Sequence, residues 1–331
     1  MNRTHRKMKD ANMKAIVYEK YGPPSEVLEL KEVEKPTPKD DEVLVKIFAA
    51  SINDGDKSMI RGKPIFVRLM GMGLFKPKNT IPGGDIAGQV EAVGRNVKQF
   101  KPGDDVFGDI GGIGHGAFAE FVSVPENVLA LKPVNMTYEE AAAFPQYALV
   151  ALQGLRDNGQ IQPGHKVLIN GASGGVGTFA VQIAKSYGAE VTGVCSTRNL
   201  ELVRSLGADH VIDYTQEDFT QTEQRYDLIL DMVANRSVSD YTRVLSPNGN
   251  YVAVAFNVRG LISMAGNKMA SQLSHKPNVK DLVYMKELIE AGKVVPVIDR
   301  RYPLSEVAEA FRAYGEGHPS GKIVITVEHN E

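Results

Sequence analysis

Cysteine is nearly absent from this chain, since Cys195 is the only one among 331 residues. A lone thiol excludes an intrachain disulfide and any cysteine cage for zinc. Cys195 falls in an apolar run and is expected to be a buried thiol. Long apolar stretches are missing as well: no run of about 18 apolar residues occurs, so no membrane span is predicted. Charge of one sign is also lacking, with 38 Lys and Arg against 40 Asp and Glu, a net charge of −2. That balance leaves no electrostatic footprint for nucleic acid. No internal repeat or low-complexity linker interrupts the sequence. What remains is a chain that is 43% apolar, long enough for two domains, and expected to be cytoplasmic with a small-molecule partner.

The richest stretch is Val167-Leu-Ile-Asn-Gly-Ala-Ser-Gly-Gly-Val-Gly-Thr-Phe-Ala-Val-Gln-Ile-Ala-Lys185. An apolar run enters a glycine-dense turn and leaves as an amphipathic pattern. Lys166 to Ile169 reads as a buried strand, Thr178 to Tyr187 as a helix and Glu190 to Cys195 as the next strand. Glycines at such a turn let backbone N–H groups approach a pyrophosphate, and the positive end of the helix attracts its charge. A dinucleotide is the expected ligand, although Ala172 stands where a strict GxGxxG motif has its first glycine.

The end of the second strand discriminates between cofactors, because NAD sites place Asp or Glu there for the ribose 2′-OH. Here the segment is Cys195-Ser-Thr-Arg198, with a cation beside two hydroxyls. An Arg fork suits a 2′-phosphate, so NADPH is expected. Glu201, the nearby acid, belongs to a helical pattern from Asn199 to Leu206 and is expected to face water.

Texture changes along the chain. Residues 1–12 are polar and basic, lack the apolar core of a secretory signal, and are expected to form a flexible tail. From 13 to 136, short alternating strands with Gly and Pro punctuation predict a β domain, as in Glu42 to Phe48 and Phe118 to Val124. From 137 to 275, helix and strand alternate, with strands at Ala208 to Ile212, Tyr226 to Leu230 and Gly249 to Ala255. This pattern predicts a doubly wound parallel sheet. A helical pattern at Lys280 to Ala291, another at Ser305 to Tyr314 and a strand at Lys322 to Val327 follow. Residues 276–331 are expected to rejoin the first domain.

Several motifs occur in an order that resembles the medium-chain dehydrogenase/reductase superfamily, in its zinc-free quinone-oxidoreductase branch, which includes proteins of the reticulon-4-interacting type. They are Met13-Lys-Ala-Ile-Val-Tyr18, Pro82-Gly-Gly-Asp-Ile-Ala-Gly-Gln-Val-Glu-Ala-Val-Gly94, Phe100-Lys-Pro-Gly-Asp-Asp-Val-Phe-Gly108, Gly116-Ala-Phe-Ala-Glu-Phe121, Ala141-Ala-Ala-Phe-Pro145, the glycine loop, Leu206-Gly-Ala-Asp-His-Val-Ile-Asp-Tyr214 and Ser320-Gly-Lys-Ile-Val324. The resemblance spans nearly the whole chain. It implies an α/β fold with a GroES-like β domain plus a Rossmann domain, an active site in the cleft between them, and a homodimer by family habit.

Zinc-dependent relatives in that superfamily bind a catalytic metal through Cys and through the His of Gly-His-Glu. Here the second motif reads Gly83-Gly84-Asp85 and the cysteine position is Asn53, and no four-cysteine lobe exists. The seven histidines, at 5, 115, 165, 210, 275, 318 and 329, lack the spacing of a zinc site. No metal is therefore expected. Without a Lewis acid, hydride transfer depends on orientation and hydrogen bonds to developing oxyanion charge. Quinones and α,β-unsaturated carbonyls are the substrates that such a site reduces most readily.

The resemblance also implies site residues. Asn53 and Asp56 match an Asn-x-x-Asp loop: Asn53 is the expected donor to a carbonyl or the nicotinamide, Asp56 the expected organiser of the loop. Tyr147 is a further candidate donor. Asp85 is expected to bond backbone amides beneath the cleft. Ser173, Gly174, Gly175 and Val176 are expected around the pyrophosphate, and Ser196, Arg198 and Tyr214 around the adenosine phosphate. Ala255 and Phe256 are expected at the nicotinamide ribose, with Lys322 on a segment returning to the cleft. Val150 stands where family members commonly carry Thr, so one hydroxyl is missing. Met59 to Phe75 is rich in Met and Phe and reads as either a lid over an apolar substrate or a packing insertion or dimer contact; Leu261 to Leu273 poses the same choice. The reading that unites these features is NADPH-dependent hydride transfer to quinones or enones. A metal-free enzyme acting on other carbonyls and a non-catalytic NADPH sensor are the alternatives.

Overall fold

The computed structural model describes residues 12–65, 67–69, 73–112, 114–255, 264, 269–317 and 319–329. They form two compact units. One contains the chain up to Gln146, Pro277–Lys286 and the residues from Ile298 onward; the other contains Tyr147–Lys276 and Glu287–Val297.

In the first unit, β1 (Asn12–Val17) and β2 (Glu29–Glu34) pair antiparallel. A seven-stranded sheet follows, built from β3 (Glu42–Ser51), β4 (Asp85–Val93), β5 (Asp105–Asp109), β6 (Phe121–Pro125), β7 (Leu129–Leu131), β14 (Ile298–Pro303) and β15 (Lys322–Thr326). Its order is β14-β15-β3-β4-β5-β7, with β6 also on β3. Alternation of Val43, Val45 and Ile47 along β3 supplies one face of the core, joined by Ile86, Val106, Phe118, Ile323 and Ile325. Burying each such side chain stabilises the fold by about 1.5–3 kcal/mol relative to exposure.

The register of this sheet assembles polar groups at one end. Ser51 pairs with Asp85, Asp85 with Asp109, and Ser51 with Val324, two residues beyond Lys322. After β3 the chain turns into α2 (Asp54–Arg61), whose predecessor α1 is the single turn Pro24–Val27. Asn53 precedes α2 in extended conformation, Asp56 closes a capping box, and Gly62 ends the helix in left-handed conformation. These are the start and stop signals expected of a short helix. Helices α3 (Tyr138–Ala142) and α4 (Pro145–Gln153) lead toward the second unit.

That unit is a six-stranded sheet of β8 (Lys166–Asn170), β9 (Glu190–Cys195), β10 (His210–Asp213), β11 (Tyr226–Asp231), β12 (Leu245–Ala253) and β13 (Ala270–Gln272). All neighbours are parallel, in the order β10-β9-β8-β11-β12-β13. Strand order reverses between β8 and β11, the switch point at which doubly wound folds bind dinucleotides. Helices α5 (Gly175–Ser186), α6 (Leu200–Ser205) and α7 (Val238–Arg243) accompany these strands; α8 (Val279–Glu290) and α9 (Val307–Gly317) come later. Helix α5 starts at Gly175, ahead of the Thr178 expected from apolar spacing, because the glycine turn itself adopts the first helical residues. Cys195 is buried, and desolvation pushes its thiol up to about 11.

Candidate active site

At the polar end of the first sheet, Asp85 is fully buried and surrounded by donors. Its Oδ2 accepts from Ser51 Oγ at 3.1 Å and Asn53 Nδ2 at 3.0 Å, and its Oδ1 accepts from the Gln146 backbone N–H at 3.0 Å. Lys322 Nζ lies 3.3 Å from Oδ2 and also donates to Asn53 Oδ1 at 2.5 Å and the Ile52 carbonyl at 3.1 Å. Asp85 was expected to bond backbone amides; it takes one, and its remaining partners are side chains. Burial pushes its carboxyl above the usual range, opposed by the Lys322 ammonium. Burial likewise pushes Lys322 down, opposed by Asp85. Each charge is the counterweight that lets the other be buried.

Lys322, expected on the segment that returns to the cleft, is held within this cluster. Its ammonium is turned inward and 1% of the residue is exposed, because a buried carboxylate and two oxygens hold it. The Asn53 amide, the expected donor, has its oxygen facing Lys322 and its nitrogen facing Asp85. Asp56 accepts the Asn53 backbone N–H at 2.8 Å through Oδ2. His115 brings Nδ1 to 3.7 Å from the other oxygen, Oδ1. Gly84 offers no side chain here: a Cβ added to it would stand 3.7 Å from Asp56 Oδ1. Among the described residues no group of three or more His, Cys, Asp and Glu is arranged to hold a metal ion.

In the second unit the glycine loop joins β8 to α5. Gly171 has φ +89°, and a Cβ on Gly177 would lie 2.1 Å from the Gly171 carbonyl oxygen, so both positions require glycine. Gly174 precedes the helix in extended conformation, and a Cβ there would meet the Gly171 oxygen at 3.4 Å and nothing nearer. Ser173, Gly174, Gly175 and Val176 are all partly exposed at the N-terminus of α5. Amides and dipole therefore fit a pyrophosphate. Asn199, which carried no role in the sequence reading, donates to Ser173 Oγ at 2.9 Å and to Ser196 Oγ at 3.5 Å, tying the phosphate loop to the end of β9.

Arg198 and Tyr214 are exposed beside that end. Asp213 closes β10 next to them, but its oxygens are occupied by Thr197 Oγ1 at 2.5 Å, Thr215 Oγ1 at 2.7 Å and the Thr215 N–H at 3.0 Å. Tyr147 and Val150 are buried on α4. Ala255 follows β12, partly exposed; Phe256 lies outside the described residues. In the Met59 to Phe75 stretch, Ile65, Leu69, Leu74 and Phe75 are exposed. Residues 66 and 70–72 are outside the described set, as are 261–263 and 265–268 of the second Met-bearing stretch.

Comparison with known proteins agrees with this architecture. Residues 39–134 match the alcohol dehydrogenase GroES-like domain, and residues 206–325 match the zinc-binding dehydrogenase domain. The chain is 36% identical to a chloroplastic NADPH-dependent alkenal/one oxidoreductase of Arabidopsis thaliana, over 95% of this chain and 79% of that protein. It is 35% identical to the mitochondrial NAD(P)H oxidoreductase RTN4IP1 of Mus musculus, over 86% of this chain and 82% of that protein. The quinone oxidoreductase of Coxiella burnetii superposes with a TM-score of 0.85 at 30% identity, covering 96% of this chain and all (100%) of that one. Fold, glycine loop and sequence similarity over almost the full length lead to one assignment: the chain belongs to the medium-chain dehydrogenase/reductase superfamily, among its quinone-oxidoreductase members.

Proposed function

We propose that this protein is an NADPH-dependent oxidoreductase that transfers hydride to quinones or α,β-unsaturated carbonyls without a metal. The observation that carries the reading is the pairing of a complete dinucleotide cradle in one unit with a polar cluster in the other whose metal-ligand positions are Asn53 and Gly84. An amide engaged by Lys322 and a residue without a side chain make poor zinc ligands. The relatives named for quinone and alkenal/one reduction support the substrate class.

When bound, NADPH supplies the hydride. The chain's own residues bind and orient. Ser173, Gly174, Gly175 and Val176 cradle the pyrophosphate at the N-terminus of α5. Ser196, Arg198 and Tyr214 take the 2′-phosphate, and Ala255 borders the nicotinamide ribose. Asn53 and Asp56 form the polar floor, fixed by Lys322 and Asp85, and the Tyr147 hydroxyl donates to the substrate oxygen. These groups act by placing the acceptor and holding developing charge. A cytoplasmic location and a homodimer complete the proposal; fractionation of the native protein and light scattering check them, with plastid or mitochondrial recovery, or a monomer mass, replacing either.

Titration with NADPH and NADH, followed by an ortho-quinone and a 2-alkenal, tests the reading. Tight NADPH binding with acceptor-dependent oxidation is expected. Binding without turnover on any acceptor favours an NADPH sensor, and preference for NADH overturns the reading of Ser196 to Arg198.

A further inference from the structure

His115 is a polar side chain placed at some conformational expense, with its Nδ1 left without a hydrogen bond among the described residues. Its backbone is left-handed, φ +67°, between Gly114 at +139° and Gly116 at +124°. Non-glycine residues rarely adopt that region, and such outliers concentrate at functional sites. Only 9% of its side chain is exposed, and Nδ1 has no hydrogen-bond partner among the described residues. Buried imidazole nitrogens are normally satisfied. The acceptor that Nδ1 faces is Asp56 Oδ1, at 3.7 Å, a small movement from a charge-assisted hydrogen bond. Asp56 is itself held by the Asn53 backbone N–H, so the pair adjoins the proposed substrate floor.

The chemistry of enone reduction needs such a group. Hydride adds to the β-carbon, the C=C electron pair moves through the α-carbon onto oxygen, and the resulting enolate must take a proton. A reduced quinone takes its protons on oxygen, where exchange with water is rapid.

We propose that His115, oriented by Asp56, is the proton donor to the enolate when this protein reduces an α,β-unsaturated carbonyl. The step rests on the proposed NADPH-dependent hydride transfer. Nδ1–H of the imidazolium stays on the Asp56 carboxylate, and the Nε2–H bond breaks as the α-carbon–H bond forms. Neutral imidazole then regains a proton from water. Hydride and proton together balance the two-electron reduction. The aspartate stabilises the charged ring, the role a carboxylate plays beside a histidine that must gain and lose a proton.

Two measurements test this. The first is reduction of a 2-methyl-2-alkenal in D2O by wild type and by His115→Asn, chosen because Asn tolerates left-handed backbone. At least a tenfold fall in kcat for the alkenal relative to kcat for an ortho-quinone is expected, with loss of facial selectivity of deuterium at the α-carbon. An unchanged ratio with retained selectivity overturns the assignment, while quinone-dependent NADPH oxidation by wild type leaves the functional reading intact. A wild type that reduces neither acceptor overturns both. The second repeats the comparison with Asp56→Asn, which removes the carboxylate 3.7 Å from Nδ1; Asp109 shares with the His115 ring the space beside Gly111. A fall in the alkenal-to-quinone kcat ratio and loss of facial selectivity, as for His115→Asn, are expected. An unchanged ratio with retained selectivity dissolves the pair.

Discussion

A buried ion pair separates what a residue contributes from what its absence costs. Lys322 and Asp85 are both sealed, with side chains 0% exposed. Replacing Lys322 by Met leaves a carboxylate stranded in the interior, which is expected to destabilise the protein by about 3–5 kcal/mol. Lys322→Met combined with Asp85→Leu is expected to recover much of that loss, since an apolar pair needs no compensation; urea unfolding of wild type and the two variants checks both. The adjacent glycines make a finer contrast. Gly83 has φ +101° and a Cβ there would stand 2.8 Å from the Ala117 Cβ, whereas Gly84 would meet nothing nearer than 3.4 Å. Gly83→Ala is therefore expected to lower the unfolding midpoint clearly and Gly84→Ala to leave it nearly unchanged.

Among the elements, the loop after β9 carries cofactor choice. Arg198→Ala is expected to weaken NADPH at least tenfold more than NADH, because only the former offers a 2′-phosphate for the guanidinium; equal losses in fluorescence titrations would sink the assignment. The chain following β15 carries a pH response. His329 Nε2 meets the Ile47 carbonyl at 2.7 Å, and its ring lies against Phe48 and Phe121. Burial lowers its pKa, partly offset by that hydrogen bond. Below the unfolded value of about 6.5 the unfolded chain then binds more protons than the folded one, so stability falls as pH drops through that window down to the folded pKa. Urea midpoints at pH 7.5 and 5.5 are expected to differ, and His329→Phe to reduce the difference.

The molecule as a whole shows which features a sequence exposes. The parallel sheet was legible because its signals are local: apolar strands, the turn from Gly171 to Gly177, and helical spacing after it lie within a few residues of one another. Element ends were less so, as β12 shows by beginning at Leu245 instead of Gly249, where apolar patterning starts. The polar cluster was legible only as separate motifs. Lys322 meets Asn53 across 269 residues and Asp85 across 237, distances over which no periodicity speaks, so its inward turn could not be read. His115 appeared as one of several scattered histidines because Asp56, the group that gives it meaning, lies far off in sequence in the first turn of α2.

That same separation has a temporal side. The first unit is made of the earliest and the latest parts of the chain, with the second unit's sequence translated in between. At about 5–20 residues per second, Asp85 leaves the peptidyl-transferase centre roughly 12–50 s before Lys322 is made. Throughout that interval β3 has no β15 to pair with, and the carboxylate of Asp85 at the start of β4 has no Lys322 cation. The nascent sheet is thus an open edge waiting for the last strand. Ribosome-bound chains that stop short of Lys322 should be the form of this protein most dependent on chaperones.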